Sequence, residues 1–260
     1  ITVIRSNRNR GPAYARQKLL EAATGDFVHF HDVDDFISNR FVEVISPLLD
    51  CRTAGVCARC QRDEHGTNKT ISLAAANFLD NRELVVRNFL HFNQTVFPAT
   101  LAKRHMEFAA DLRILEDRLA FLSMAANGLQ FRYVDSALTT IVKRRGSVTT
   151  SQSHADGMDC LFIFWNRAVA MAGDQAQALA EYVSYTAWCY YYEDATVFPH
   201  LTKIIRDVKS RGLLKPSSRM ERLLGGLLAP ETVYWLRRKR AHPRSLNRNG
   251  TTAVGLKTKP

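Results

Sequence analysis

No apolar run in this sequence reaches the length of a helical membrane span, which excludes such a span within these residues. No repeat recurs along the chain, which excludes solenoids and propellers. Cysteine is scarce and odd in number: Cys51, Cys57, Cys60, Cys160 and Cys189. A disulfide-stapled scaffold is therefore excluded, and with no secretory signal at the front the expected setting is reducing and cytoplasmic. Acidic residues are nearly missing from the C-terminal quarter. Residues 200–260 hold 3 Asp and Glu against 15 Lys and Arg, whereas residues 1–199 hold 22 against 21. The formal charge of +11 thus lives at one end, where it suits a polyanion such as an anionic leaflet, while a near-neutral body carries the chemistry.

What is present is globular. With 46% hydrophobic and 23% charged residues over 260 positions, the chain can bury an ample core as one large domain or a domain with an appendage. The pair Cys57 and Cys60, with His65 nearby, invites a zinc or redox reading. The four-ligand set is incomplete, however, and the segment alternates like a strand, so a strand is the better reading.

Local patterning gives an alternating order up to about residue 142. Ile1–Ile4 reads as a strand, followed by a cation-rich turn and a helix over 13–24 that is closed by Gly25. Phe27–Phe30 is a short buried strand that ends in His31-Asp32-Val33-Asp34-Asp35. A helix is predicted over 36–50, a hairpin over 54–62 and 68–73, and a strand at 95–97. A helix follows over 116–127, then a strand at 131–134. Beyond residue 155 the pattern is wholly helical, over 156–172, 174–193 and 197–211. The stretch 216–240 is basic and amphipathic, and 241–260 is a basic tail expected to be disordered. The expected division is a core over 1–150, a helical extension over 151–240 and the tail.

Asp32, Asp34 and Asp35 stand where a buried strand emerges, the edge at which open α/β sheets bind ligands. Three carboxylates within four residues repel one another unless a cation or solvent relieves them. A divalent metal with hard oxygen ligands, Mg²⁺ or Mn²⁺, is the economical explanation; an acidic helix cap is the plainer alternative. His154 is a candidate extra metal ligand, against the plainer reading of an exposed loop histidine. Lys143-Arg144-Arg145-Gly146-Ser147 reads either as a loop closing over a diphosphate or as a solvated basic loop.

The run Asn9-Arg10-Gly11-Pro12-Ala13-Tyr14-Ala15-Arg16, then Gly25-Asp26-Phe27-Val28, then Asp32-Val33-Asp34-Asp35 resembles the signature of family 2 glycosyltransferases of the GT-A fold. A second match is Glu116-Asp117, similar to the family's E-D pair at a helix start. The resemblance covers about residues 1–150. It implies an α/β, GT-A-like, mostly parallel sheet flanked by helices and followed by an α-helical C-terminal extension. It further implies that Asp32 and Asp34 contact the nucleotide ribose and the metal, with Asp35 next in line. Asn9, Gly11 and Arg16 fall in the sugar-nucleotide-binding part, Asp117 matches the general base, and Glu116 orients it or the acceptor. The family's two opening strands are not found, so the nucleotide-base pocket is not legible.

The implied activity is metal-dependent, inverting transfer from a nucleoside-diphosphate sugar to a hydroxyl of a glycan or lipid-linked acceptor, in polysaccharide or glycolipid synthesis. The segment 216–240 suits an anionic membrane surface, which would put the protein on the inner face of the membrane. The rival readings are a nucleotidyltransferase acting on a sugar phosphate and a non-enzymatic polyanion-binding module using the basic tail. Nucleic acid is disfavoured because no reading motif accompanies the charge.

Overall fold

The computed structural model describes residues 1–73, 81–88, 90–143 and 153–213. The basic loop beyond Lys143, the amphipathic stretch 216–240 and the tail 241–260 lie outside the described residues.

Strand β3 (Thr53–Arg62) is the spine of the sheet, and its side chains from Thr53 to Arg59 are buried. A strand enclosed on both faces reads as a continuous run rather than an alternation. That is the pattern of Thr53-Ala54-Gly55-Val56-Cys57-Ala58. On one side β3 pairs in parallel with β6 (Gln130–Val142), and on the other antiparallel with β5 (Thr95–Pro98). β1 (Phe27–His29) adds to β5, β2 (Phe36–Ile37) adds to β6, and β4 (Asn68–Ile71) forms the predicted hairpin with β3. The expected α/β sheet flanked by helices is thus present. Its ladders are mixed, with β3–β6 parallel and the other four antiparallel.

Three predicted elements take a different form. Ile1–Ile4 joins no ladder among the described residues, and Ile1, Val3 and Ile4 are exposed. β propensity alone does not hold a strand that has no hydrogen-bonding neighbour. The helix expected over 36–50 divides instead. Phe36 and Ile37 pair with Thr140 and Thr139, Ser38 N–H donates to Leu138 O at 2.8 Å, and only then does α2 (Phe41–Ile45) begin, followed by a 3-10 turn at Ser46–Leu48. A ladder to β6 outcompetes local helix periodicity there, and Pro47 prevents a regular continuation. The strand predicted at 131–134 extends to Val142, past a register shift opposite Cys57–Arg59.

The helices are α1 (Gly11–Ala22), α2, α3 (Asn81–Arg87), α4 (Ala99–His105), α5 (Glu116–Ala126), α6 (His154–Ala172), α7 (Ala176–Glu193) and α8 (Phe198–Ser210). α6 packs on α5 and α7 on α3, so the described residues form one compact unit. Among the described residues no helix is long and apolar enough to cross a membrane.

The core between sheet and helices is aromatic. Phe30, Phe92, Phe97, Phe108, Phe121 and Phe131 interlock at ring separations of 5.1–6.5 Å. Phe97 and Phe121 are fully enclosed, and burying each is worth about 1.5–3 kcal/mol. A second cluster joins Phe41, Ile45, Cys57, Val96 and Leu138 beneath α2. All five cysteines are free, and burial pushes the Cys57 thiol up to about 11.

Gly55 shows how closely α2 sits on β3. A Cβ there would lie 2.8 Å from Ile45 Cγ2 and 3.1 Å from Leu49 Cδ2. Gly55→Ala is therefore expected to lower stability by about 1–3 kcal/mol in urea unfolding, because a closely packed interior absorbs an added methyl only by strain.

Candidate active site

The site begins with a turn. Asn9 Oδ1 accepts the Gly11 N–H at 3.0 Å, and Gly11 sits at φ +81°, a conformation that favours glycine. Pro12 follows in the first turn of α1. This sends Arg16, about one turn on, inward over the Phe92 ring at 4.8 Å.

From that position Arg16 binds two acids that are 84 residues apart in sequence. Its Nη1 donates to Glu116 Oε1 at 3.0 Å, and its Nη2 donates to Asp32 Oδ1 at 3.2 Å. The Arg16 and Glu116 side chains are nearly enclosed, with 13% and 11% of their surface exposed, whereas Asp32 is 56% exposed. The bridge therefore joins a sheltered helix start to a solvent-facing strand tip.

The two acids at the start of α5 differ in their commitments. Desolvation raises Glu116 above the usual carboxylate range, and Arg16 opposes that rise. Asp117 accepts the Arg118 N–H at 2.7 Å and is pushed up to about 7, first by desolvation and then by the adjacent Glu116 charge. A helix N-terminus favours anions, yet here burial outweighs it.

At the strand tip the three aspartates have separate surroundings. Asp35 is tied on both sides: Oδ2 accepts from Asn93 Nδ2 at 2.7 Å and Oδ1 accepts the Val142 N–H at 3.0 Å. It fastens the tip to the turn before β5 and to β6, and burial raises its pKa. Asp34 is exposed and accepts no hydrogen bond from any described residue. Asp32, beside it, shares its charge with Arg16. His154 starts α6 and faces Glu193 at 3.0 Å and Asp194 at 3.6 Å at the far end of α7. Among the described residues no three His, Cys, Asp or Glu side chains converge as a metal cage. Asp32 and Asp34 still offer two neighbouring oxygen donors open to solvent, which suits a hard cation whose other positions go to phosphate oxygens or water.

Residues that motif reading missed complete the surroundings. Arg59 is buried on β3, donates to Gln94 Oε1 at 2.7 Å, and feels the Asp117 charge. It stands at the register shift between β3 and β6, and bulges commonly re-aim side chains next to active sites. The signal for it was an arginine inside an otherwise apolar strand. His91 is pushed down to about 3 by burial and by the Arg59 and Arg16 charges, so it is neutral. Burial also holds the His29 pKa down, and its Nε2–H donates to Asn93 O at 2.9 Å, which opposes that fall.

Residues 1–110 match the family model of glycosyl transferase family 2. This segment is therefore similar to that family. The fold agrees with solved structures of S. aureus TarS. TarS 1–349 superposes with a TM-score of 0.60 at 15% identity, covering 93% of this chain and 74% of that one. Its complex with UDP-GlcNAc gives 0.57 at 17% identity, over 95% and 80%. Its complex with UDP gives 0.56 at 16% identity, over 92% and 73%. Identities this low show a shared fold. No curated protein matches the chain in sequence. The bridge from Arg16 brings Asp32 and Glu116 to one place.

Two outcomes follow for Arg16 and Asp117. Arg16→Met leaves Glu116 sheltered without its counter-charge, and is expected to cost about 3–5 kcal/mol in chemical denaturation. Asp117 has a raised folded pKa, so its favourable contribution is fully present below about 3.8 and is lost as pH rises through about 7. The thermal midpoint of Asp117→Asn should therefore gain on that of the unsubstituted protein between pH 4 and pH 7.

Proposed function

We propose that the chain is a metal-dependent, inverting glycosyltransferase that moves a sugar from a nucleoside diphosphate to an acceptor hydroxyl. The observation that carries this reading is the double engagement of Arg16, which holds Asp32 and Glu116 within reach of one side chain. Transfer needs two things at once: stabilisation of a departing diphosphate and a base for the incoming hydroxyl. The strand tip supplies the first and the start of α5 the second.

In this reading Asp117 takes the acceptor proton. The acceptor oxygen attacks the anomeric carbon from the face opposite the phosphate, the carbon–oxygen bond to phosphate breaks, and the nucleoside diphosphate leaves with the electron pair. Inversion follows from that single displacement. A carboxylate with its pKa near 7 is matched to this task, since it is deprotonated around neutral pH yet basic enough to hold a proton. Glu116, held by Arg16, fixes the start of α5, and Asn9 and Gly11 shape the turn that delivers Arg16 to the donor side.

Asp34, with Asp32, would hold Mn²⁺ or Mg²⁺, and the cation would supply charge neutralisation at the diphosphate. Structures of S. aureus TarS with UDP and UDP-GlcNAc make uridine diphosphate sugars the first donors to try. A glycan or lipid-linked acceptor, in polysaccharide or glycolipid synthesis, completes the reading. The basic stretch 216–240 would bring the chain to an anionic membrane surface that carries such acceptors.

The test is release of nucleoside diphosphate from a panel of UDP-sugars with Mn²⁺ or Mg²⁺. Asp117→Asn should lower kcat by about 10²–10⁴-fold, the usual worth of a positioned base. Asp34→Ala should shift the Mn²⁺ dependence to higher concentration. Turnover that survives both substitutions, or release of pyrophosphate from a nucleoside triphosphate instead, would reject the reading.

A further inference from the structure

Arg118 directly follows the Asp117 carboxylate, and its side chain runs away from the site into the helical part of the chain. Its guanidinium lies over the Tyr182 ring of α7 at 3.6 Å, and its Nη2 donates to Val86 O at the end of α3. The side chain is buried, and its Nε–H meets no acceptor. The aromatic face, one carbonyl and the neighbouring Asp117 charge are therefore what stabilise this enclosed cation.

The backbone next to it is strained. Leu115, the residue before Glu116, sits at φ 68° and ψ 5°, a left-handed conformation uncommon for a side chain of this shape. Such a residue persists only where its surroundings over-determine it. On one side the restraint is Arg16 on Glu116; on the other it is Arg118 on Tyr182 and Val86. Between these two anchors the Arg118 N–H donates to Asp117 Oδ1. A shift of Arg118 would therefore move the very N–H that orients the carboxylate.

We infer that Tyr182 is a positioning residue: by seating Arg118, it sets the orientation of the Asp117 carboxylate. The inference rests on Asp117 acting as the base. A misplacement of about 1 Å at a reacting group can cost as much as a hundredfold in rate. Loss of the ring should thus appear in kcat, whereas the donor contacts at the strand tip stay intact.

The experiment compares Tyr182→Leu, Tyr182→Phe, Val183→Ala and Asp117→Asn in the full chain, with UDP-sugar turnover and thermal unfolding measured on each. Tyr182→Leu should lower kcat at least about tenfold with the donor KM within about threefold, while Tyr182→Phe, which keeps the aromatic face, should retain at least about half of kcat. Val183 is fully buried on the same helix, so Val183→Ala loosens packing without touching Arg118 and should lower the thermal midpoint while sparing kcat. If Asp117→Asn is inactive but Tyr182→Leu falls no further than Val183→Ala, the inference is overturned and the proposed function stands. If Asp117→Asn turns over normally, the proposed function falls and takes the inference with it.

Discussion

A single guanidinium reconciles acids that would otherwise push apart. Asp32 at the end of a strand and Glu116 at the start of a helix belong to distant parts of the chain, and each has a further carboxylate close by. Arg16 joins them, and the ring of Phe92 beneath it fixes where its charge lies. The ring in turn belongs to the aromatic core formed by Phe30, Phe97 and Phe121, so the position of the charge is an outcome of packing. The acidic strand tip directly follows Phe30, which makes the same core the common support of both halves of the site.

The sheet contributes in a different way. Its parallel pair, β3 and β6, slips register where β3 passes from the apolar Ala58 to Arg59. That slip accompanies a charged side chain deep among apolar neighbours, with Gln94 as its hydrogen-bond partner and Asp117 in its field. Gln94 in turn donates to Cys57 O at 3.1 Å, so the buried cation is braced by the backbone of its own strand. The loop before β5 therefore does more than connect: Asn93 secures the acidic tip and Gln94 secures Arg59.

Much of this was legible in the sequence, for identifiable reasons. The strands over 27–30 and 54–62 and the helices over 116–127 and in the C-terminal part were readable because their apolar residues are close in sequence, although Phe27, expected in a buried strand, is exposed. The spacing of Asn9, Gly11, Arg16, Asp32 and Asp34 carried the family resemblance. What escaped reading was non-local. Phe36 and Ile37 look helical until β6 is available to pair with them, and Ile1–Ile4 looks like a strand although it joins no ladder among the described residues. The separate lives of the three aspartates could not be seen in the triplet. Asp35 is consumed by Asn93 and Val142, both far away in sequence, while Asp34 faces water. Arg59 and Arg118 were passed over because one arginine in a strand or helix carries no motif.

Free thiols throughout the described fold have a practical meaning. Cys57, packed beneath α2 and far from ionising near neutrality, cannot readily attack an oxidant or grip a soft metal. Cohesion in this protein rests on interlocked rings and matched charges, so its shape should be indifferent to the redox poise of the compartment around it.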